Sequence, residues 1–397
     1  MRISTPGLHY KALTAMLQQQ SVLSKIQNQI ATGKRVQTPA DDPVAAVHIL
    51  ELERALQESD QFKANADVAT NRLSLEEQAL QDVNKVLVRV RELAVQANNA
   101  PLDDEDRRMI AIELRERLKE LVAIANRRDG NNEFLFAGYA TTTQPFSMQG
   151  TAIVYRGDQG NRLLQVGTNQ MVADSHSGFD VFLNIREGNG AFVLGAAATN
   201  TGSGTLGAGS VVDRQAWANA AGDYTVAFTS ADGDYEIRDS GGNVIATGVH
   251  TAGASIEFNG VRFELNGMPA AGDSFTVSRS RTEDIFTTVQ NLIDTIEGTE
   301  NQAVLSSNIG QTLQQLDTAV EHFLLIRAEI GSRLSSLETA EAARDDRVLE
   351  LKRMKSELED LEYADAITRM QQQLVSLQAA QASYMQISQL SLFNYLK

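Results

Sequence analysis

The sequence has 397 residues, with 51 acidic against 35 basic side chains and a formal net charge of −16 at pH 7. This acidic balance argues against nucleic acids and anionic membrane surfaces as partners, because both bind clustered Lys and Arg. The chain contains no Cys, which excludes disulfides, thiolate nucleophiles and Cys-ligated metals. It lacks an apolar run long enough to span a membrane, and it does not begin with the apolar block of a cleaved signal peptide.

The N-terminal part is predicted to be helical. Its apolar stripe, at helical spacing, consists of Met16, Leu23, Ile26 and Ile30. Gly33 is a suitable residue to end this helix, and Asp42 followed by Pro43 predicts the start of a second one. That second helix is expected to run unbroken to about Asn98. A third helix is predicted from Asp103 or Asp104 to the stop at Asp129–Gly130.

The centre of the chain is predicted to form strands and turns. Residues 152–155 are expected to pair with 163–166 in a hairpin. Of 28 glycines, 17 lie from Gly178 to Gly272, where further strands are predicted at 224–228, 235–237, 244–246, 256–258, 261–265 and 275–277. Asn259-Gly260 indicates a tight hairpin turn, whereas the glycines from Gly202 to Gly209 indicate a loop. These features predict a small antiparallel β domain inserted between two helical arms.

Helical periodicity returns after the β region. A helix over 285–298 is followed, after Gly298, by a heptad repeat of Ile309, Leu313, Leu316, Val320, Phe323, Ile330, Leu334 and Leu337. Arg327 interrupts this repeat at a position where an apolar residue is due. Such a repeat indicates a helix that packs against partner helices. A second apolar seam near the end consists of Met370, Leu374, Leu377 and Tyr384.

The two ends of the chain are poor in charge. From Ala12 to Gly33 the only charged residue is Lys25, and from Ala366 to Leu396 it is Arg369. A solvent-exposed helix normally carries interspersed Lys and Glu. The composition favours helices that are mobile in the monomer and become buried among many subunits. An antiparallel coiled coil within one chain, or a homodimer seam, remains an open alternative.

Sequence motifs for catalysis are missing. The five histidines lack metal-ligand spacing: His9, His48, His176, His250 and His322. Asp232-Gly233-Asp234 lacks the further ligands of a calcium loop and predicts a turn. Trp217 stands alone, without an aromatic cluster for sugar stacking. We therefore predict no enzymatic activity, no cofactor and no metal.

Several motifs together resemble the flagellin family. They are the stretches 30–35, 39–43, 89–96, 331–334 and 389–393. Three more resemble the branch of that family at the hook–filament junction rather than filament flagellin, namely residues 1–5, 131–146 and 155–160. The resemblance covers both arms and leaves out the glycine-rich centre.

The resemblance implies an α+β architecture in three parts. Residues 1–40 with 362–397 would be the inner terminal helices, 41–175 with 282–361 a helical coiled-coil rod with a β-hairpin, and 176–281 the inserted β domain. The implied function is a structural adaptor that joins hook to filament. Its implied partners are other copies, hook-side and filament-side axial proteins and a cytoplasmic export chaperone on the C-terminal helices, with type III export and no cleaved signal. Filament flagellin, or a secreted binding module or hydrolase on a flagellin-like stalk, are the alternatives.

Overall fold

The computed structural model describes residues 5–99, 103–220, 222–299 and 301–389. Its helices are α1 (Thr5–Thr32), α2 (Pro43–Ala97), α3 (Asp104–Ala125), α4 (Arg214–Asn219), α5 (Ile285–Gly298), α6 (Gln302–Glu359) and α7 (Tyr363–Gln389). A π-helical turn covers Phe179–Leu183. The strands are β1 (Phe146–Gln149), β2 (Ala152–Tyr155), β3 (Leu163–Gly167), β4 (Gln170–Ala173), β5 (Ile185–Arg186), β6 (Phe192–Ala196), β7 (Thr205–Val211), β8 (Tyr224–Phe228), β9 (Asp234–Asp239), β10 (Val244–Val249), β11 (Ser255–Phe258), β12 (Val261–Asn266), β13 (Ser274–Arg279) and β14 (Thr282–Glu283).

Local capping sets the predicted helix starts. Asp42 accepts a hydrogen bond from the backbone N of Ala45 (3.1 Å), and Asp103 accepts one from Asp106 (2.8 Å). Gly33, just after α1, has a φ of +71°, the left-handed conformation expected after a helix. The predicted stop of α3 at Asp129–Gly130 is wrong. The helix ends at Ala125 because Asn126 turns to Phe146, exchanging hydrogen bonds of 2.9 and 3.0 Å with its backbone.

Two compact units divide the chain, and the first joins residues up to Ala64 with those from Thr339. Within it, α1 and α7 pack as an antiparallel pair. The backbone N of Arg35 donates to the Glu359 carbonyl (2.7 Å), and that of Leu361 donates to the Gly33 carbonyl (2.9 Å). These bonds join the turn after α1 to the break between α6 and α7.

The second unit, Asn65–Glu338, has a helical core formed by segments of α2, α3, α5 and α6. The predicted heptad residues of α6 are all buried or half-buried in this core. Arg327 is the exception in the repeat, and its guanidinium lies on the Glu77 carboxylate of α2, with nitrogen–oxygen distances of 2.7 and 3.0 Å. The interruption of the heptad is therefore an ion pair between two core helices.

Two hairpins, rather than the predicted one, pack on this helical core. Residues 152–155 pair with 146–149, and 163–167 pair with 170–173, so the predicted pairing of 152–155 with 163–166 is wrong. The register places Phe146 opposite Tyr155, with ring centroids 5.0 Å apart. Burial of Phe146, which is fully inaccessible, selects β1 as the partner of β2.

The β domain has its own apolar core within the second unit. A five-stranded antiparallel sheet has the order β10-β9-β8-β13-β6, and a three-stranded sheet has the order β11-β12-β7. The predicted Asn259-Gly260 hairpin is confirmed, with φ values of +43° and +81°. The predicted loop at Gly202–Gly209 is wrong in its second half, since β7 begins at Thr205.

Trp217 is not isolated, contrary to the prediction. It lies 5.9 Å from the Phe192 ring and 6.3 Å from the Tyr224 ring, between centroids. The α+β fold with an inserted antiparallel β domain is confirmed. The three-part division of the chain stays a prediction. Within the stretch predicted as the inserted β domain, residues 176–281, Val181, Phe182 and Ile185 pack in the helical core, whereas Phe192 packs in the β-domain core.

Candidate assembly surface

The predicted seam residues line the contact between α1 and α7. Leu23 and Ile26 are each 8% exposed. The other six are half-buried: Met16, Ile30, Met370, Leu374, Leu377 and Tyr384. Gln19 donates a hydrogen bond to the Ser376 hydroxyl (2.9 Å) across the pair. Both predicted seams therefore lie on covered faces of two helices that pack within one chain, and their role in assembly stays a prediction.

A different set of apolar side chains remains exposed on the same helices. On α1, Tyr10, Leu13 and Leu17 are 73%, 45% and 58% exposed, and we call them the outer row. Their spacing of three and four residues places them on one face of α1, roughly 130° around the helix from the seam. On α7, Val375 is 64% exposed and Met385 is 63% exposed. The helical spacing of the outer row was a signal in the sequence that the seam analysis missed.

Most of the few charges of the terminal helices are paired. Lys25 lies 2.6 Å from a carboxylate oxygen of Asp41, and Arg369 pairs with Asp365 one turn away. The bond from Lys25 and two backbone N–H donors, of Thr38 and Gln37, hold the pKa of Asp41 well below its usual value. Apolar and amide side chains therefore dominate the exposed faces of α1 and α7.

The flagellin-like motifs at 30–35 and 39–43 form the connection between α1 and α2. Arg35 donates to the Leu358 carbonyl at the end of α6 (2.7 Å), and Lys34 pairs with Glu359. Arg35 also lies 3.4 Å from the capping carboxylate of Asp42. These contacts fix the path of the chain from α1 into α2.

The motifs at 131–146 and 155–160 meet around one carboxylate. Asp158 accepts hydrogen bonds from the backbone N of Tyr139 (2.9 Å), Ala140 (2.9 Å) and Gly160 (2.8 Å). Burial raises the pKa of Asp158, but the three hydrogen-bond donors lower it by a larger amount. The pKa of Asp158 therefore lies below its usual value. Gly138 has a φ of +70°, and a Cβ there would lie 2.2 Å from an Asp158 oxygen. The motif residues are thus required by close packing of two loops.

The side chain of Tyr155 locks the same loops from the inside. Its hydroxyl donates towards the carbonyl oxygens of Asp158 (2.6 Å) and Phe136 (3.1 Å). Burial raises the pKa of Tyr155 to about 12. This tyrosine is a neutral hydrogen-bond donor in the fold.

The described residues include no candidate metal site. Within residues 5–99, 103–220, 222–299 and 301–389, His, Asp and Glu do not form a cluster of three that would hold a metal ion. None of the helices in that part of the chain is both long and apolar enough to cross a membrane. The turn predicted at Asp232-Gly233-Asp234 is confirmed, and Ser230 donates to Asp234 there (2.8 Å). The motif residues 1–4 and 390–393 lie outside the described residues.

Comparison with known proteins decides the family. Residues 3–141 match the family model of the bacterial flagellin N-terminal helical region. The flagellar hook-associated protein 3 of Salmonella typhimurium is 26% identical over 393 residues, which cover 99% of each chain. The crystal structure of Xanthomonas campestris FlgL is 34% identical with a TM-score of 0.71, covering 77% of this chain and 99% of that one. The chain belongs to the FlgL family.

A second FlgL structure gives the same result. The flagellar junction protein FlgL from Legionella pneumophila is 31% identical with a TM-score of 0.70, and 79% of this chain covers all of it. The match to the flagellin N-terminal region ends at residue 141, whereas the likeness to hook-associated protein 3 covers 99% of the chain. Membership of the FlgL family is therefore favoured over filament flagellin, and the relatives are proteins of the flagellum.

Proposed function

We propose that this chain is a structural adaptor that joins the flagellar hook to the filament and assembles through its terminal helices. The FlgL relative from Legionella pneumophila is named a junction protein. The observation that supports the mode of assembly is the exposure of large apolar side chains on two helices with almost no charge, such as Leu17 and Val375. Burial of such a side chain against a neighbour contributes roughly 1 kcal/mol or more.

The partners follow from this surface. Other copies of the chain, hook-side proteins and filament-side proteins would cover the outer row and the exposed face of α7. Before assembly, exposed Val375 and Met385 are a risk for aggregation. This favours a cytoplasmic chaperone that covers α7 until the chain is exported, without a cleaved signal peptide. The terminal helices would then form the inner part of the assembled structure.

A matched pair of substitutions tests the proposal. Val375 on α7 and Val249 on β10 are 64% and 65% exposed. Val375→Asp and Val249→Asp therefore make the same chemical change at equal exposure. Because both sites face solvent in the single chain, both variants should fold with the circular dichroism spectrum and melting temperature of the parent protein.

In assembly the two variants should differ. A charge buried at a packed contact between helices is costly. A strain whose native gene carries Val375→Asp should therefore not swim, and electron microscopy should show hooks without filaments. Val249→Asp should swim normally. Normal swimming of the Val375→Asp strain would refute assembly through α7. Short filaments still attached to the hooks in a strain lacking the gene would instead favour a role in the filament.

A further inference from the structure

A cleft in the β domain is lined by basic and polar side chains. Its volume is about 790 Å³, within the range of about 300–1,000 Å³ typical of small-molecule sites. The side chains that matter are Arg186, Arg214, Arg279, Trp217, Asn189 and Ser210. Among the described residues no Asp or Glu lines it, although acidic residues outnumber basic ones by 51 to 35 in the chain. The cleft is thus a positively charged site on an acidic protein.

Two of the arginines carry charges that the protein does not neutralise. Arg186 and Arg214 are exposed, and in the part of the chain that the structure describes their guanidinium groups have no hydrogen-bond or ion-pair partner. Elsewhere in the β domain, Arg238 pairs with Glu236 at 2.8 Å and Arg262 pairs with Glu257 at 3.0 Å. The missing carboxylates distinguish the cleft from the rest of the domain surface.

One wall of the cleft is held in place by hydrogen bonds within the β domain. Arg279 donates to the carbonyl oxygens of Trp217 (2.9 Å) and Ala220 (2.7 Å), and its guanidinium lies 5.2 Å from the Trp217 ring centroid. The indole N–H of Trp217 donates to the Ala191 carbonyl (3.2 Å). Asn189 is fixed by a bond to the Gly209 carbonyl (3.1 Å). A wall held in this way costs little conformational entropy when a ligand binds.

We propose that this cleft binds an acidic saccharide, that is, a short chain of sugar rings that carry carboxylates. Arginine forks bind carboxylates with two parallel hydrogen bonds. The exposed Ser210 hydroxyl offers a polar atom for a sugar hydroxyl group, while Val211 and Ala218 of the lining offer apolar contacts for the faces of sugar rings. The hollow is larger than a single inorganic anion needs. An acidic protein segment fits less well, because a stable protein interface buries about 800 Å² per partner on a broad surface.

The single tryptophan of the chain gives a direct assay. Trp217 lines the cleft and is the one Trp in the sequence, so its fluorescence reports on occupancy in the full-length protein. Titration with trigalacturonic acid should give a saturable change, and neutral maltotriose should give none. The double variant R186Q/R214Q should bind at least about tenfold more weakly, since two charge-assisted hydrogen-bonding groups are lost. R238Q, a change at a paired arginine of the same domain, should bind like the parent protein.

Several results would overturn this assignment. One is the absence of a saturable change with trigalacturonic acid, and another is an equal response to maltotriose. Equal affinity for inorganic phosphate would show a simple anion site without saccharide recognition. If R186Q/R214Q leaves trigalacturonate binding unchanged but alters self-association in sedimentation, the cleft receives an acidic segment of a second copy and the proposal is wrong. Both substituted side chains are exposed, so circular dichroism of the double variant should match the parent.

Discussion

His176 is held between two carboxylates, and we predict that this makes the fold less stable as pH rises above neutrality. Its Nδ1 lies 2.8 Å from an oxygen of Glu76 on α2, and its Nε2 lies 3.0 Å from an oxygen of Glu329 on α6. A neutral imidazole has one N–H, so only the imidazolium donates to both carboxylates. Glu76 is fully buried and His176 is 4% exposed, whereas the Glu329 side chain is 63% exposed. The contact with Glu76 therefore dominates the energetics.

The surrounding groups set the direction of the pKa. Burial disfavours the imidazolium, but the hydrogen bond and charge of Glu76 outweigh burial, and Glu329 adds to them. Arg333 opposes them from α6. Asp174, on the chain segment of His176, is already bound by Arg72 and Arg162. The net result is a pKa of His176 above its usual value.

The sign of the pH dependence follows from this shift. A raised pKa in the folded state stabilises the fold fully below the unfolded value of about 6.5, and the contribution is lost as pH rises through the folded value. Within that window the free energy of unfolding should fall by at most about 1.4 kcal/mol per pH unit. Glu76→Gln keeps the shape of the side chain but removes its charge. It should cost about 1–2 kcal/mol near pH 6 and less at pH 9, because a charge-assisted hydrogen bond becomes a neutral one.

The assay is urea unfolding from pH 5.5 to 9, with an NMR titration of the His176 ring. Glu329→Gln is the matched control and should cost well under 1 kcal/mol, because this carboxylate is exposed. Hydrogen exchange at residues 175–178 should report the same loss locally. Parallel stability–pH curves for the parent and Glu76→Gln, or an NMR pKa at or below the usual value, would refute the reasoning.

The other two predictions concern the paired groups that interrupt apolar or loop patterns. Arg327→Leu restores the heptad but leaves the half-buried Glu77 carboxylate without its arginine partner, and should lower the free energy of unfolding in urea by about 1–2 kcal/mol. The double variant Arg327→Leu/Glu77→Leu should regain most of this stability. Equal costs for the single and double variants would contradict the ion-pair interpretation. Asp158→Asn places an amide N–H against the backbone N–H of Ala140 and should lower stability by about 1–2 kcal/mol near pH 7 in calorimetry. Because the pKa of Asp158 is lowered in the fold, its contribution is present above the usual carboxyl pKa and is lost as pH falls through the folded value, so the difference from Asp158→Asn should shrink in acid.

Features that depend on neighbouring residues could be predicted from the sequence. The cap of Asp42 on α2, the cap of Asp103 on α3 and the Asn259-Gly260 turn each involve atoms at most three residues apart. The apolar periodicity of α6 likewise predicted which of its residues enter the core. Local hydrogen bonding and helical geometry decide these features, and both are written in short stretches of sequence.

Partners that are distant along the chain were decided by the tertiary structure. Phe146 becomes the partner of Tyr155 because it fills the helical core. β7 is a strand although it is rich in glycine. Its Gly209 lies against the Phe192 ring, where a Cβ would be 2.7 Å from the ring. The seam and the outer row are both apolar on α1, and only the packing of α7 separates the buried face from the exposed one. Burial is a property of what lies opposite, so spacing along one helix fixes its faces but not which of them stays open to other subunits.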